Sequence, residues 1–244
     1  VICPQIMSNE LWKTSGHWDN YRDNMSLIGN EATEGEEAHE PTAGLKPMNC
    51  PGHCALFAST KHSYRELPLR VAEFSRLHRN ERSGTLTGLS RVRAMAQDDA
   101  HIYCESADVP AEIERFFAMT AEVYRDLRLS GVKVSVSTRP ERFLGEAADW
   151  DVAEQALIDC VKNAGFECGI KKGEAAFYAP KVEFDFQDVL GRAWTLSTIQ
   201  VDMAAPTRFE LAYVGRDGQE HRPAMLHRAI LGSLERFIAI YLEH

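Results

Sequence analysis

Apolar and polar positions change period several times along this chain. From 67 to 78 the apolar residues partly alternate (Leu69, Val71, Phe74, Leu77), which predicts a strand, and a second is predicted over 91–104. The polar run Asn80-Glu81-Arg82-Ser83-Gly84-Thr85-Leu86-Thr87-Gly88 between them has turn chemistry, so the pair reads as a long antiparallel hairpin with a charged tip. Asp108 followed by Pro110 opens a helix whose stripe of Ile113, Phe116, Phe117, Thr120, Val123, Tyr124 and Leu127 faces a core and which ends near Gly131. Strands are predicted over 132–138, 177–186, 193–203 and 208–214, and helices over 52–61, 148–163 and 225–242. Pro51 suits the first turn of the earliest helix and leaves Met48-Asn49-Cys50 on the entering turn.

Strands come in adjacent runs, without regular strand-helix alternation, so an antiparallel α+β layer is expected rather than a doubly wound parallel sheet. The 244 residues suit one large domain. No apolar run is long enough for a membrane span. The acidic stretch 30–44 has little to pack and is expected to be a solvated loop. A net charge of −9, from 27 basic and 36 acidic residues, argues against a nonspecific coat on nucleic acid but leaves room for a local basic surface. Six cysteines without regular spacing favour a reducing, cytoplasmic setting. The first residues, Val1-Ile2-Cys3-Pro4-Gln5, show neither an initiator Met nor a signal-peptide pattern, and the expectation is a piece of a longer chain.

No glycine-rich phosphate loop is present, so a nucleotide would have to be held by side chains and strands. Arg79 and Arg91 flank the hairpin tip, with Glu81 nearby, and Arg236 lies in the last helix. Guanidinium forks grip phosphate oxygens and stabilise charge that develops as a phosphoryl bond breaks, although an isolated arginine is commonly just ion-paired or solvated. Cys50, His53, Cys54, His101, Cys104 and His227 are possible metal ligands. Cys50-x-x-His53-Cys54 lacks the second nearby pair of a closed structural zinc site; the same residues also read as buried thiols and hydrogen-bonded histidines.

Four segments taken together carry a resemblance: Met48-Asn49-Cys50-Pro51-Gly52-His53, Arg79-Asn80-Glu81, Gln97-Asp98-Asp99-Ala100-His101-Ile102, and His227-Arg228-Ala229-Ile230-Leu231-Gly232-Ser233-Leu234-Glu235-Arg236. In this order they resemble the aminoacylation domain of the threonyl-tRNA synthetase family, of class II, with an antiparallel sheet flanked by helices. The resemblance runs from Cys3 to the end of the chain, interrupted mainly by residues 30–44. It implies a ligase that joins L-threonine to ATP and passes the threonyl group to tRNA(Thr). Arg79 is then expected on the α-phosphate, Arg91 and Arg236 on the γ-phosphate, and Glu81 on the adenine. Cys50, His101 and His227 match the family's zinc ligands, where the metal binds the amino and hydroxyl groups of threonine. Met48, Gln97, Asp99, Tyr178 and Thr198 complete the amino-acid pocket, and Lys181, Glu183 and Gln200 match further polar active-site positions. His17, in Gly16-His17-Trp18, is a candidate to deprotonate the tRNA ribose, a task that an ATP phosphate, the substrate amine or the ribose itself can also perform. Mg²⁺ is expected with ATP, although no two-carboxylate site is readable.

The chain departs from the family at Trp194-Thr195-Leu196-Ser197-Thr198, where Trp-Gln-Cys-Gly-Thr is expected. Thr195 lacks an amide, and Ser197 brings a side chain to a position expected to have none, so altered affinity or inhibitor sensitivity is anticipated. The resemblance further implies a single catalytic domain over 1–244, cut within motif 1, without the editing and anticodon-binding regions, from an intact enzyme that is a homodimer. Without editing, some misactivation of serine is expected. Two other readings are a non-catalytic synthetase-like protein that binds threonine or tRNA, and a class II synthetase for serine or proline.

Overall fold

Whether a segment is buried on one face or on two decides where it sits in the sheet. The computed structural model describes residues 1–29 and 40–244. The chain opens with β1 (Ile6–Ser8), α1 (Asn9–Ser15), α2 (His17–Asn20), β2 (Ser26–Ile28) and β3 (Ala43–Leu45), then α3 (Cys50–Ala58) and the short β4 (His62–Ser63). The long pair β5 (Leu69–His78) and β6 (Ala94–Cys104) follows, then α4 (Val109–Asp126), β7 (Lys133–Ser137), α5 (Ala147–Asn163) and β8 (Cys168–Lys171). The rest is β9 (Lys181–Gln187), β10 (Ala193–Asp202), α6 (Ala204–Arg208), β11 (Tyr213–Val214), β12 (Glu220–His221), β13 (Ala224–Ala229) and α7 (Leu234–Glu243).

Seven strands form the main sheet in the order β5-β6-β13-β10-β9-β7-β8, with every pair antiparallel except β7 with β8. The edge strand β5 alternates buried and exposed residues, whereas β13 is buried almost throughout, as its central place requires. One face of the sheet carries Ile102, Val182, Phe184, Ile199, Val201 and Leu226, and it packs on Ile113 and Phe117 of α4, Leu157 and Val161 of α5, and Ile240 of α7. Each fully buried aliphatic chain there, such as Leu157 or Ile199, contributes about 2 kcal/mol. The opposite face is left for chemistry.

Several expectations are corrected. The helix predicted over 225–242 is divided: Ala224–Ala229 is strand β13, and α7 begins only at Leu234. A short apolar run buried on both faces has no period to separate strand from helix, and Gly232, at φ 72°, makes the break between the two elements. The strand predicted over 208–214 is reduced to Tyr213–Val214; before it stands α6, whose first amides, those of Ala204 and Ala205, donate to the Asp202 carboxylate at 2.8 Å each. Cys50 is already helical rather than on the entering turn. Of the expected loop over 30–44, residues 30–39 lie outside the described residues, while Ala43–Leu45 pairs with both β1 and β2. Among the described residues, no helix is long and apolar enough to cross a membrane.

Candidate functional site

Alternation in β-strands sends every second residue to the same face. Since Ile102, Leu226, Ile199 and Val182 face the helices, His101, His227, Gln200 and Lys181 face the other way. Register aligns them: His101 lies opposite His227, His227 opposite Gln200, and Gln200 opposite Lys181. Four strands, β6, β13, β10 and β9, thus contribute one polar row. A second row starts with Thr198, paired with Glu183 on β9 and Ala229 on β13.

Over these rows lies an open cleft of about 420 Å³, lined by Met48, Cys50, Arg79, Gln97, Asp99, His101, Tyr178, Thr198, Gln200 and His227, with Arg228 and Ala229. Helix α3 delivers Cys50 from above the sheet, and the ligand atoms of Cys50, His101 and His227 all lie within 4.8 Å of one another. All three residues are buried. His101 Nε2 and His227 Nδ1 stand 2.9 Å apart, and His227 Nε2 is 2.9 Å from an Asp202 carboxylate oxygen. One thiol and two imidazoles with a carboxylate behind one ring form a donor set that fits a tetrahedral zinc site with a position left open. Burial lifts the Cys50 thiol well above its usual range, reinforced by Asp99, so without a cation the sulfur stays protonated. Burial likewise raises the Asp99 carboxyl, while Asn49 Nδ2, donating at 3.0 Å, pulls it down.

The arginines stand on the side of the cleft nearer the hairpin tip. Arg79 Nε reaches the Pro47 carbonyl at 3.3 Å, and Arg91 pairs with Glu81 at 3.3 Å. Arg236 donates to the carbonyls of Ser90 (2.8 Å) and Thr195 (3.1 Å), and its guanidinium lies over the Trp194 ring, 5.2 Å from the centroid. Burial, then the charges of Arg91 and Arg79, lower the Arg236 pKa while Glu81 raises it: three arginines gather near one end of the cleft, a setting that favours an anionic ligand. Of the predicted residues, Glu81, Arg91, Lys181, Glu183, Arg236 and His17 do not line the cleft itself. Lys181 is paired with Glu183 at 2.8 Å.

His17 follows Gly16, whose positive φ of 80° closes α1 and where a side chain would meet Leu144 at 2.7 Å. Its ring is buried against Trp12, Phe177 and Tyr178, with Nδ1 2.8 Å from Ser15 Oγ and Nε2 3.2 Å from the Met48 sulfur. Burial pushes its pKa down to about 3, so the ring is neutral. The other histidine and thiols considered as ligands separate by face: His53 stands behind His101, Cys54 packs with Phe57, and Cys104 belongs to the core beneath the helices.

Several supporting residues carry no signal of their own in the sequence. Asp202 is two residues beyond Gln200, so alternation alone would have placed it on the same face. Asn49 sits inside the first of the recognised segments. Asp98, on the other face of β6, accepts the amides of Ile230, Leu231 and Gly232 at 2.8–3.0 Å, and this clamp fixes the turn that presents α7 and Arg236. Ser197 does not line the cleft. A register shift between Thr195 and Thr198 turns its fully buried side chain into the core, where it meets Tyr124 Oη and the Ile230 carbonyl. Thr195 Oγ1 donates to Asp185 at 2.5 Å.

The model of the class II tRNA synthetase core domain (G, H, P, S and T) matches residues 33–244, and the chain belongs to this family. Within it, the likeness is to the threonyl-tRNA synthetases. The chain is 47% identical to a threonine–tRNA ligase of Parvibaculum lavamentivorans over 250 aligned residues, covering 100% of this chain and 38% of that relative. A crystal structure of the RNA-binding domain of threonyl-tRNA synthetase from Cryptosporidium parvum superposes with a TM-score of 0.91 at 42% identity, covering 100% of this chain and 59% of that one. A threonyl-tRNA synthetase structure from Aeropyrum pernix gives 0.81 at 36% identity, covering 100% and 55%. The chain therefore spans little more than a third of the length of the curated relatives it matches.

Proposed function

We propose that this chain carries the threonine-activating core of a threonine–tRNA ligase, forming threonyl adenylate from L-threonine and ATP and passing the threonyl group to tRNA(Thr). The observation that carries the reading is the meeting of Cys50, His101 and His227 in a cleft shared with Arg79, Gln97, Asp99 and Gln200. Zn²⁺ held by the first three would offer open positions to the amino and hydroxyl groups of threonine, a choice that an apolar pocket makes poorly against valine. Asp99 accepts from the substrate ammonium, and Met48, Gln97, Tyr178 and Thr198 shape the remaining wall. The threonine carboxylate attacks the α-phosphorus of ATP, the bond to the bridging oxygen breaks, and pyrophosphate leaves. Arg79 stabilises charge on the α-phosphate, Arg91 and Arg236 hold the γ-phosphate, and Glu81 meets the adenine. Mg²⁺ accompanies ATP. Gln200 meets ATP from the polar row of the sheet, and Lys181, on the next strand of that row, is a further catalytic candidate. With its pKa pushed down to about 3, His17 beside Met48 is a weak base and suits hydrogen bonding better than proton abstraction.

Pyrophosphate exchange compared among threonine, serine, valine and proline, alongside zinc quantification, tests the reading. Threonine-dependent exchange is expected, with weaker exchange for serine, almost none for valine or proline, and about one zinc per chain. Tight threonine binding without exchange would indicate a non-catalytic binding protein.

A further inference from the structure

Behind the pocket, His101 rests on a buried polar chain that none of the proposed substrates touches. Its Nδ1 lies 2.7 Å from Nδ1 of His53, whose Nε2 lies 3.0 Å from a Glu73 carboxylate oxygen. The other Glu73 oxygen is 2.5 Å from Lys46 Nζ and accepts the Cys3 amide at 3.0 Å. Lys46 also donates to Ser75 Oγ at 2.9 Å, and Ser75 to Asn49 Oδ1 at 3.2 Å. The side chains of Lys46, Glu73 and His53 are each wholly buried. Removing so many polar groups from water is costly, and the cost is offset only if every donor finds an acceptor.

With His53 neutral, counting protons along the chain leaves one arrangement in which the nitrogens facing Cys50 are free to bind a cation. A carboxylate paired with Lys46 only accepts, so His53 Nε2 carries a hydrogen. The neutral His53 ring then has a bare Nδ1, which accepts the hydrogen on His101 Nδ1. That leaves His101 Nε2 as a lone pair, aimed at the point where Cys50 and His227 converge. Asp202 does the same for His227: it takes the Nε2 hydrogen and leaves Nδ1 bare. In that arrangement both nitrogens that face each other across 2.9 Å are acceptors, which suits a cation between or beside them.

We propose that His53 and Glu73, anchored by Lys46, are positioning residues that hold His101 with Nε2 as its free, ligand-donating nitrogen. The inference rests on the metal reading of Cys50, His101 and His227. It assigns a task to a buried lysine–glutamate pair that a merely structural account would replace with apolar residues at little loss.

Two substitutions at one position separate orientation from packing. His53→Leu removes the acceptor for His101, whereas His53→Asn carries an amide oxygen the same number of bonds from Cα as the ring Nδ1. Zinc affinity, measured by competition with a chromophoric chelator, is expected to fall about 10–100-fold in His53→Leu and to return to within a few-fold of the parent in His53→Asn. The visible d–d bands of the Co²⁺-substituted protein should change in the first variant and not in the second. Thermal unfolding in EDTA reports folding separately. Parent-like zinc affinity in His53→Leu, or equal losses in both variants, would overturn the inference while leaving the metal reading intact. A parent protein that binds no zinc, or a Cys50→Ser variant that keeps it, would overturn the metal reading and the inference with it.

Discussion

His101 and His227 face each other on adjacent antiparallel strands with Nε2 and Nδ1 2.9 Å apart, and both rings are braced from behind, by His53 and by Asp202. Held this way, the two rings can turn both nitrogens toward a shared ion in a buried site. Under the zinc reading, metal removal should therefore cost stability. Zinc at a thousandfold excess over its dissociation constant adds about 4 kcal/mol. EDTA should lower the melting temperature and added Zn²⁺ restore it; an unchanged melting curve would count against the ion.

Among the described residues, Asp99 is the only carboxylate lining the cleft, and Asn49 fixes it at 3.0 Å. In Asp99→Asn the charged acceptor for an ammonium group is lost, an interaction of about 1.5–3 kcal/mol. Threonine kcat/KM should fall about 10–100-fold, while the KM for ATP stays close to that of the parent. Steady-state exchange kinetics with each substrate varied in turn check this.

Arg236 combines two carbonyl contacts with a stacked position over Trp194. Lysine keeps the charge and loses the planar fork. Arg236→Lys should lower the rate of adenylate formation about 10²-fold, read as a single-turnover burst, with little change in melting temperature.

Ser197 faces the core, so its effect belongs to stability rather than to substrate affinity. Ser197→Gly deprives Tyr124 and the Ile230 carbonyl of a partner and should destabilise the fold by about 1–3 kcal/mol in urea titration. Tyr124→Phe in the same chain should recover part of that loss. A large change in threonine KM from Ser197→Gly would show that the residue reaches the pocket after all.

Burial drives the Glu73 carboxyl upward, yet Lys46, Ser75 and Cys3 together bring it down to about 2 from an ordinary 4.5. Its folded-state pKa is thus depressed. The stability it supplies is present above pH 4.5 and is lost as pH falls towards 2, an effect on the order of 3 kcal/mol. Urea unfolding across this window, in EDTA so that metal release does not contribute, should show a steeper acid loss for the parent than for Glu73→Gln.

Much of this was open to reading from residues, and the division has physical causes. The hairpin β5–β6 has alternation and a turn, and α4 has a full apolar stripe opened by Asp108 and Pro110, so local patterning suffices. Strand β13 has neither: Met225 and Leu226 are both fully buried, one on each face, and the run has no period to show its type. Candidate residues such as Cys50, His101 and His227 were recognisable from four spaced segments, whose order mattered more than any local motif. Their supports were not. Lys46 meets Glu73 across 27 positions and Asp98 clamps Gly232 across 134, distances over which no local pattern extends.

The polar row of His101, His227, Gln200 and Lys181 exists only because four strands agree in phase. Pairing one residue out of step would bring Ile102 or Leu226 to the cleft and send a histidine among the phenylalanines. No half-correct intermediate of that kind possesses a weakened pocket; it possesses none. Occupancy of the cleft therefore doubles as a test of assembly, and a substrate or ion captured during folding would select the one alignment able to hold it.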